Sequence, residues 1–391
     1  MKVLRLIGSL DPRHGGPPVS SLNSCIAVQR AGAETTFAFP VEGEPSGAMA
    51  AALGNLRAAG VDIITFPAST AWGDRGRSWG FCRPLARWVA RNRHHFDLIH
   101  CHGAWQMVSV LAARGPRADR QPILLTPHES LTDYDIAQTS SPLTKPLKSW
   151  LRRYFIRRFD LFVVASNLEA RHSLPPAVEQ SDRVAVIPHP VMDGAVAATQ
   201  ADTTAEQISA APGGLHVGYL GRLHRKKNVD LLLDAISRID HPVSLTIAGT
   251  GPEEKQLRKL AFDLGLGDRV TWLGFIEGPR KIDFFRTIDV LALPSDYECF
   301  GMAAAEALAV GIPVIASAQT GIAEIVRDQG GGHIIEPNRK DIEGAIRALA
   351  DDPGRLAGLA AGARNAAQSA LSFSAHGDAL YREYERLAAR R

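Results

Sequence analysis

A chain of 391 residues is too long for one ordinary core, so two domains, each somewhat below about 200 residues, are expected. Apolar residues supply 45% of it and charged residues 22%, the balance of a packed globular protein, which excludes a disordered one. The net charge of +3 is unevenly spread: residues 1–195 carry 22 Lys and Arg against 16 Asp and Glu, and the remainder 22 against 25. Cys25, Cys82, Cys101 and Cys299 are widely spaced without a C-x-x-C pair, which points to neither a zinc site nor a disulfide framework and fits a reducing cytoplasm. The first apolar run contains Lys2 and Arg5 and reaches Asp11 too soon for a signal peptide, and no run approaches the roughly 18 apolar residues of a membrane span.

Residues 2–7 read as an opening strand, 11–18 as a loop with the pair Gly15-Gly16, and 19–30 as a helix. This unit has no G-x-G-x-x-G, which disfavours a dinucleotide cofactor. Strands are predicted at 35–39, 61–66, 96–102, 123–126, 159–165 and 184–187, with helical patterns between them. Such alternation defines an α/β fold with a parallel, doubly wound sheet, whose ligands bind beyond the carboxyl ends of the strands. His102 closes the 96–102 strand and His128 follows the 123–126 strand, so both fall at that rim. Asp133 and Asp135 form a D-x-D, but two aspartates in a polar loop are common, and no metal site is read from them.

Two stretches lack acidic residues. Residues 75–96 set Arg75, Arg77, Arg83, Arg87, Arg91 and Arg93 beside Trp79, Phe81 and Trp88. In 145–158, helical spacing puts Leu147, Leu151, Tyr154 and Phe155 on one face, flanked by Lys148, Arg152 and Arg153, with Arg157 and Arg158 at the end. The second is either an ordinary domain helix or a cationic amphipathic one that rests on an anionic membrane. No nucleic-acid motif accompanies these patches, so nucleic acid is not expected as a partner. Residues 194–214 read as a linker, dividing the chain into 1–195, 196–372 and a terminal helix within 373–391.

After the linker, a buried strand at 216–220 leads into Gly221-Arg222-Leu223-His224-Arg225-Lys226-Lys227-Asn228. Arg222 and Lys227 can both face a ligand above the sheet and counter a diphosphate, although four cations in six residues also suit a surface turn. A strand at 245–248 ends in Gly249-Thr250-Gly251-Pro252-Glu253, and one at 270–273 is followed by Phe275-Ile276. The strand at 290–293 leads through a loop to a helix over 301–310, stopped by Gly311 and Pro313. Glu298 in the loop and Glu306 in the helix stand roughly 10 Å apart along the axis, about the span from a hexose to the ribose of a nucleotide sugar. Between them, the helix start at Gly301 offers free N–H groups to a diphosphate. Alone, two glutamates on an alanine-rich helix are usually a solvated face.

The letters around them add to this. The run P-S-x-x-E-x-F-G-x-x-x-x-E-A-L-A-x-G-x-P-V-I-A-S at 294–317 resembles the signature of glycosyltransferase family 4, the retaining group 1 transferases with the two-domain GT-B fold. The G-R-L-x-x-x-K at 221–227, with Asn228 where the family has Gly, is similar to its diphosphate loop, D-x-I-H-x-H-G at 97–103 to the segment whose second histidine lies close to the transferred sugar, and T-x-H at 126–128 to one near the acceptor side. The resemblance implies two Rossmann-like domains facing a cleft, a terminal helix crossing back to the first, and an acceptor held by the first half. It also implies that Glu298 holds the sugar hydroxyls and Glu306 the ribose, while Arg222, Lys227 and the helix start at Phe300, Gly301 and Met302 meet the leaving diphosphate. His102 would position the sugar and His128 would lie near the acceptor. Gly15 and Gly16 would let the backbone approach the substrate, Gly249 would lie under the nucleotide, and Phe275 and Ile276 would hold the base. The donor would be a nucleotide sugar, the acceptor a saccharide or lipid-linked saccharide in cell-surface or exopolysaccharide assembly, and no metal cofactor is implied. At 187–191, Ile-Pro-His-Pro-Val departs from the family's I-P-N-G-V. A nucleotide-sugar epimerase or phosphorylase on the same fold, and a non-catalytic sugar-nucleotide binder, are the competing readings; no lysine context for pyridoxal phosphate is found.

Overall fold

The computed structural model describes residues 1–11, 15–43, 47–68, 80–114, 121–139, 144–191 and 214–390. Arg75, Arg77 and Trp79 of the first basic stretch, and nearly all of the expected linker, lie outside the described residues. The chain divides into two compact units, Met1–Pro190 with Phe373–Arg391, and Val191–Ser372.

In the first unit, β1 Lys2–Ile7, β2 Glu34–Val41, β3 Asp62–Pro67, β4 Leu98–His102, β5 Ile123–Thr126, β6 Leu161–Val164 and β7 Val184–Val186 form one sheet in the order β3-β2-β1-β4-β5-β6-β7. In the second, β8 Leu215–Leu220, β9 Val243–Ala248, β10 Val270–Gly274, β11 Val290–Leu293, β12 Val314–Ser317 and β13 Gly332–Ile335 run in the order β10-β9-β8-β11-β12-β13. Neighbours pair in parallel throughout, so both units have the doubly wound order that the alternating sequence pattern predicts. The order reverses between β1 and β4 in one unit and between β8 and β11 in the other.

The central strands are apolar on both faces, as sheets covered on both sides require. In the first unit the period of two separates their side chains cleanly. Leu4, Leu6, Ile99, Cys101, Ile123 and Leu125 join a core with Leu85, Val89 and Phe155. Val3, Leu98 and Leu124 join another with Val28, Leu380 and Tyr384, from helices on the opposite side. By the same alternation, Arg5, His100, His102 and Thr126 lie on this second face, and all four are buried.

The Phe373–Ala388 helix belongs to the first unit and packs on the Gly16–Arg30 helix. Close approach depends on Gly377, where a Cβ would strike the Ala27 carbonyl. Leu380, Tyr384 and Leu387 recur at helical spacing and supply its buried stripe.

The basic segment forms the Thr144–Arg158 helix, with a narrower buried face than its spacing predicts. Leu151 and Phe155 enter the core, whereas Leu147 is 46% and Trp150 55% exposed, among Lys145, Arg153 and Arg157. Asp133 and Asp135 are engaged by this helix: Arg152 pairs with Asp133, and Lys148 lies 3.5 Å from Asp135, which also accepts from Trp105 Nε1 at 3.0 Å. On the Arg83–Asn92 helix, Leu85 and Val89 are buried and Arg83, Arg87 and Arg91 make an exposed stripe. Trp88 packs between Phe66 and Phe96 instead of facing solvent. All four cysteines are free. No helix among the described residues is long and apolar enough to cross a membrane.

Candidate active site

The second unit gathers its charged groups beyond the carboxyl ends of β8 and β11, the two strands at its switch point. After β8 the chain turns through exposed Arg222 and a single 3-10 turn, Arg225–Lys227, before the Val229–Ser237 helix. After β11 comes the loop that carries Ser295 and Glu298. Lys227 Nζ lies 2.7 Å from Glu298 Oε1, and Ser295 Oγ donates to the same oxygen at 2.7 Å. Both charged side chains are largely shielded, at 15% and 14% exposure. Burial pushes the Glu298 carboxyl up, but the Lys227 charge, hydrogen bonds from Lys227 and Ser295, and the nearby Lys226 outweigh it and hold the pKa below the usual value. Glu298 is therefore a carboxylate at neutral pH, with a cation already against it.

Asn228 locks the two loops together. It takes a left-handed conformation, φ 53°, which asparagine tolerates better than most residues and which explains how it replaces a glycine. Its buried amide donates to the Pro294 carbonyl at 3.0 Å and to Asp296 Oδ1 at 2.6 Å, while Asp296 N donates to the Lys226 carbonyl. On the other side, Glu298 N donates to the Gln319 carbonyl and Gly321 N to the Glu298 carbonyl. The carboxylate thus sits on a loop fixed from both flanks.

Gly301 caps the Met302–Ala309 helix at φ 107°, where a Cβ would press on Leu293, so only glycine fits without strain. The first-turn N–H groups of that helix have no partner within it. Phe300 is 1% exposed and belongs to the core, so this residue can offer a ligand only its backbone. Glu306 is ion-paired with Lys281 from the Pro279–Arg286 helix. At Gly249 a Cβ would collide with the Gly221 carbonyl, so the loop after β9 lies directly against the one after β8. Phe275 is half-exposed and Ile276 buried in the turn after β10.

The first unit holds a different kind of site. His102 ends β4 opposite Ile7 and Thr126, and only 1% of it is exposed. Both of its ring nitrogens are engaged: Nε2 lies 2.7 Å from Arg5 Nη2, and Nδ1 3.1 Å from His128 Nε2. His100 Nδ1 meets Tyr384 OH at 2.7 Å and its Nε2 meets Thr126 Oγ1 at 2.8 Å. His128 is only half-buried, and Ser21 Oγ approaches its Nε2 at 3.2 Å. The His189 ring lies 5.3 Å from that of His128, so the histidine that breaks the expected 187–191 pattern joins this cluster. Burial first, and the Arg5 charge second, depress the pKa of His102 well below its ordinary value and that of His128 to about 3. These rings are neutral at physiological pH.

His128 and Glu129 have consecutive positive φ angles, 50° and 70°, a strained turn for two non-glycine residues. It is held by the buried Glu169 carboxylate, which accepts from Glu129 N at 3.0 Å and Ala165 N at 2.8 Å. Gly15 precedes the Gly16–Arg30 helix at φ 96° with open space where a Cβ would stand.

The structure therefore brings Lys227, Glu298 and Gly301 together in one unit, and His102 and His128 together in the other. Sequence reasoning missed Ser295, Asn228's amide clamp, Lys281, Arg5, His100, Glu169 and Tyr384. Ser295, His100 and Asn228 stood inside the quoted motifs without a role, and an arginine inside the apolar run of β1 was the signal for Arg5.

Comparison with known proteins gives this geometry its class. Residues 14–193 match the family profile described as Glycosyltransferase Family 4, and residues 201–367 that of Glycosyl transferases group 1. A D-inositol 3-phosphate glycosyltransferase from Xylanimonas cellulosilytica is 30% identical over 293 residues, 71% of this chain and 69% of its own length. One from Rhodococcus erythropolis is 33% identical over 199 residues, 48% of this chain and 45% of its own. The structure of Anabaena HepE in complex with UDP superimposes at TM-score 0.76 and 20% identity, covering 99% of this chain and all of that one, which shows the shared fold. The chain belongs to the group 1, family 4 glycosyltransferases and has the GT-B fold.

Proposed function

We propose that the protein transfers a hexose, with retention of anomeric configuration, from a nucleoside diphosphate sugar to an acceptor hydroxyl on a lipid-linked saccharide. The observation that carries this is the Lys227–Glu298 pair fixed beside the glycine-capped helix start, at the carboxyl ends of the switch-point strands. Diphosphate is a good leaving group, so the protein's main task is to stabilise charge as it departs. Lys227, the guanidinium of exposed Arg222, and the N–H groups at Gly301 and Met302 suit that task. Glu298 would bind sugar hydroxyls, and Glu306 the ribose, each presented by a lysine partner. The leaving phosphate would take the acceptor's proton, and no divalent metal is required. Because HepE binds UDP, uridine diphosphate sugars are the first donors to test.

The lipid-linked acceptor rests on the first unit, where exposed Leu147 and Trp150 stand among basic residues of one helix, with a second basic stripe at Arg83, Arg87 and Arg91. Each cation at an anionic surface contributes about 1 kcal/mol, enough in sum for reversible attachment without a membrane span. A second reading, a phosphorylated polyol acceptor, is favoured by the similarity to D-inositol 3-phosphate glycosyltransferases. The test is transfer from UDP-hexoses to a polyprenyl diphosphate saccharide and to inositol phosphate, with product configuration read by NMR and binding to anionic liposomes by sedimentation. Inverted product, or no transfer from any nucleotide sugar, overturns the catalytic proposal. Absence of liposome binding at low salt, with full activity on inositol phosphate, favours the second acceptor.

A further inference from the structure

In the hydrogen-bond network around Arg5, two of the chains have a single consistent direction. An arginine donates and never accepts, and it stays protonated, so every partner of Arg5 must accept from it. Its Nη2 lies 2.9 Å from Ser24 Oγ and 2.7 Å from His102 Nε2, and its Nη1 lies 3.3 Å from Tyr384 OH.

Three chains then run outward. Ser24 Oγ, accepting from Arg5, donates to His376 Nε2 at 2.8 Å, and His376 Nδ1–H donates to the Pro188 carbonyl at 2.7 Å. That carbonyl can only accept, which fixes the direction of this chain from its far end. Tyr384 OH, accepting from Arg5, also bonds His100 Nδ1, and His100 Nε2 bonds Thr126 Oγ1; both hydroxyls can donate or accept, so either tautomer of His100 satisfies this chain. In the third chain His102 accepts at Nε2, so its proton is on Nδ1 and donates to His128 Nε2, which leaves the proton of His128 on Nδ1. Ser21 Oγ meets the same Nε2, and Nδ1 of half-buried His128 has no hydrogen-bond partner among the described residues.

We propose that Arg5 is a positioning residue which, through His102, fixes the tautomer of His128, so that the first unit presents its acceptor with an N–H donor at His128 Nδ1. His102, with both nitrogens engaged, acts through His128 and does not itself meet the substrate. A nitrogen that already carries a proton cannot remove one, so His128 binds an acceptor oxygen as a donor and is no general base at that atom. The acceptor is thus recognised by a lone pair, on a hydroxyl or a phosphate oxygen. This rests on the reading that the first unit receives the acceptor.

The test uses the whole protein with ring-15N histidine. Correlation spectra report which nitrogen carries each proton, and signals are assigned by their loss in the His102→Gln and His128→Gln proteins. His102 and His128 are expected as Nδ1–H tautomers, the minor form of free histidine. In Arg5→Met both should become tautomer mixtures, and the acceptor KM should rise roughly tenfold, the scale of one lost hydrogen bond, with the donor KM unchanged. Tyr384→Phe, on a separate chain, should alter only His100. An Nε2–H tautomer for His102 in the unaltered protein overturns the proposal whether or not Arg5→Met folds, as do unchanged tautomers in a folded Arg5→Met protein. If no acceptor is found, the functional reading fails while the tautomers still decide this one.

Discussion

Replacing Lys227 with alanine strands the carboxylate of Glu298, which would keep only Ser295 as a donor. Removing one partner of a largely buried pair costs about 3 kcal/mol, and for a unit of this size the thermal midpoint should fall by roughly 6–12 °C. If Lys227 also stabilises the leaving diphosphate, turnover should fall about 100-fold or more, equivalent to ~2.7 kcal/mol of transition-state stabilisation. The two effects separate in Lys227→Ala/Glu298→Gln. With no stranded charge, that protein should regain most of the midpoint and none of the turnover. Calorimetry and steady-state kinetics on the four proteins of the cycle provide the measurements. A pH series adds a sign. In the native protein the Glu298 pKa is depressed, so its contribution is present above the unfolded pKa and is lost as pH falls through the folded value. In Lys227→Ala burial is opposed only by Ser295 and Lys226, the pKa rises, and stability from this group should instead increase as pH falls toward 5. Undiminished kcat in folded Lys227→Ala would refute the electrostatic argument, and full recovery of turnover in the double variant would show the pair to be structural alone.

Asn228→Gly keeps the left-handed backbone but loses both amide bonds, and should cost about 1–2 kcal/mol by urea unfolding, with Asn228→Ala costing more because of the strain at positive φ; equal losses would show that the clamp matters and the backbone does not. The first unit should lose stability as pH falls from 7 to 5, since His100, His102, His128, His189 and His376 have depressed pKa values in the fold and take up protons near 6.5 when unfolded. Glu169, raised by burial to about 7, opposes this over the same range as a single group, so a midpoint that stays level from pH 7 to 5 would contradict the balance. Activity should survive a chelator; its loss to EDTA, with restoration by magnesium or manganese, would overturn the metal-free mechanism.

The fold was legible because both units repeat one simple rule, largely apolar strands with helices between them, and the doubly wound order follows from it. Lys227 and Glu298 were legible as separate candidate site residues because each lies in a motif immediately after a strand. Their contact was not, since it depends on β8 and β11 being neighbours in the sheet. The Thr144–Arg158 helix was placed correctly in type, but spacing alone assigned Leu147 to the buried face. Near the helix start it stays 46% exposed among the described residues, a fact of tertiary packing. The Arg5 network was hidden for a different reason. Arg5, Ser24, His100, His376 and Tyr384 come from four elements, and no local pattern marks a polar side chain that packs inside a core.

The Phe373–Ala388 helix makes the first unit discontinuous, which gives its assembly an order in time. The 182 residues of Val191–Ser372 leave the ribosome before the helix that completes the earlier unit. At about 5–20 residues per second this interval is roughly 10–40 s. Throughout it the second unit, continuous in sequence, can fold to completion, while the first has a guanidinium without Tyr384 and an apolar helix face without Leu380 and Leu387. The nascent protein therefore passes through a state with its later half finished and its earlier half open, the stage at which a chaperone would have most to cover.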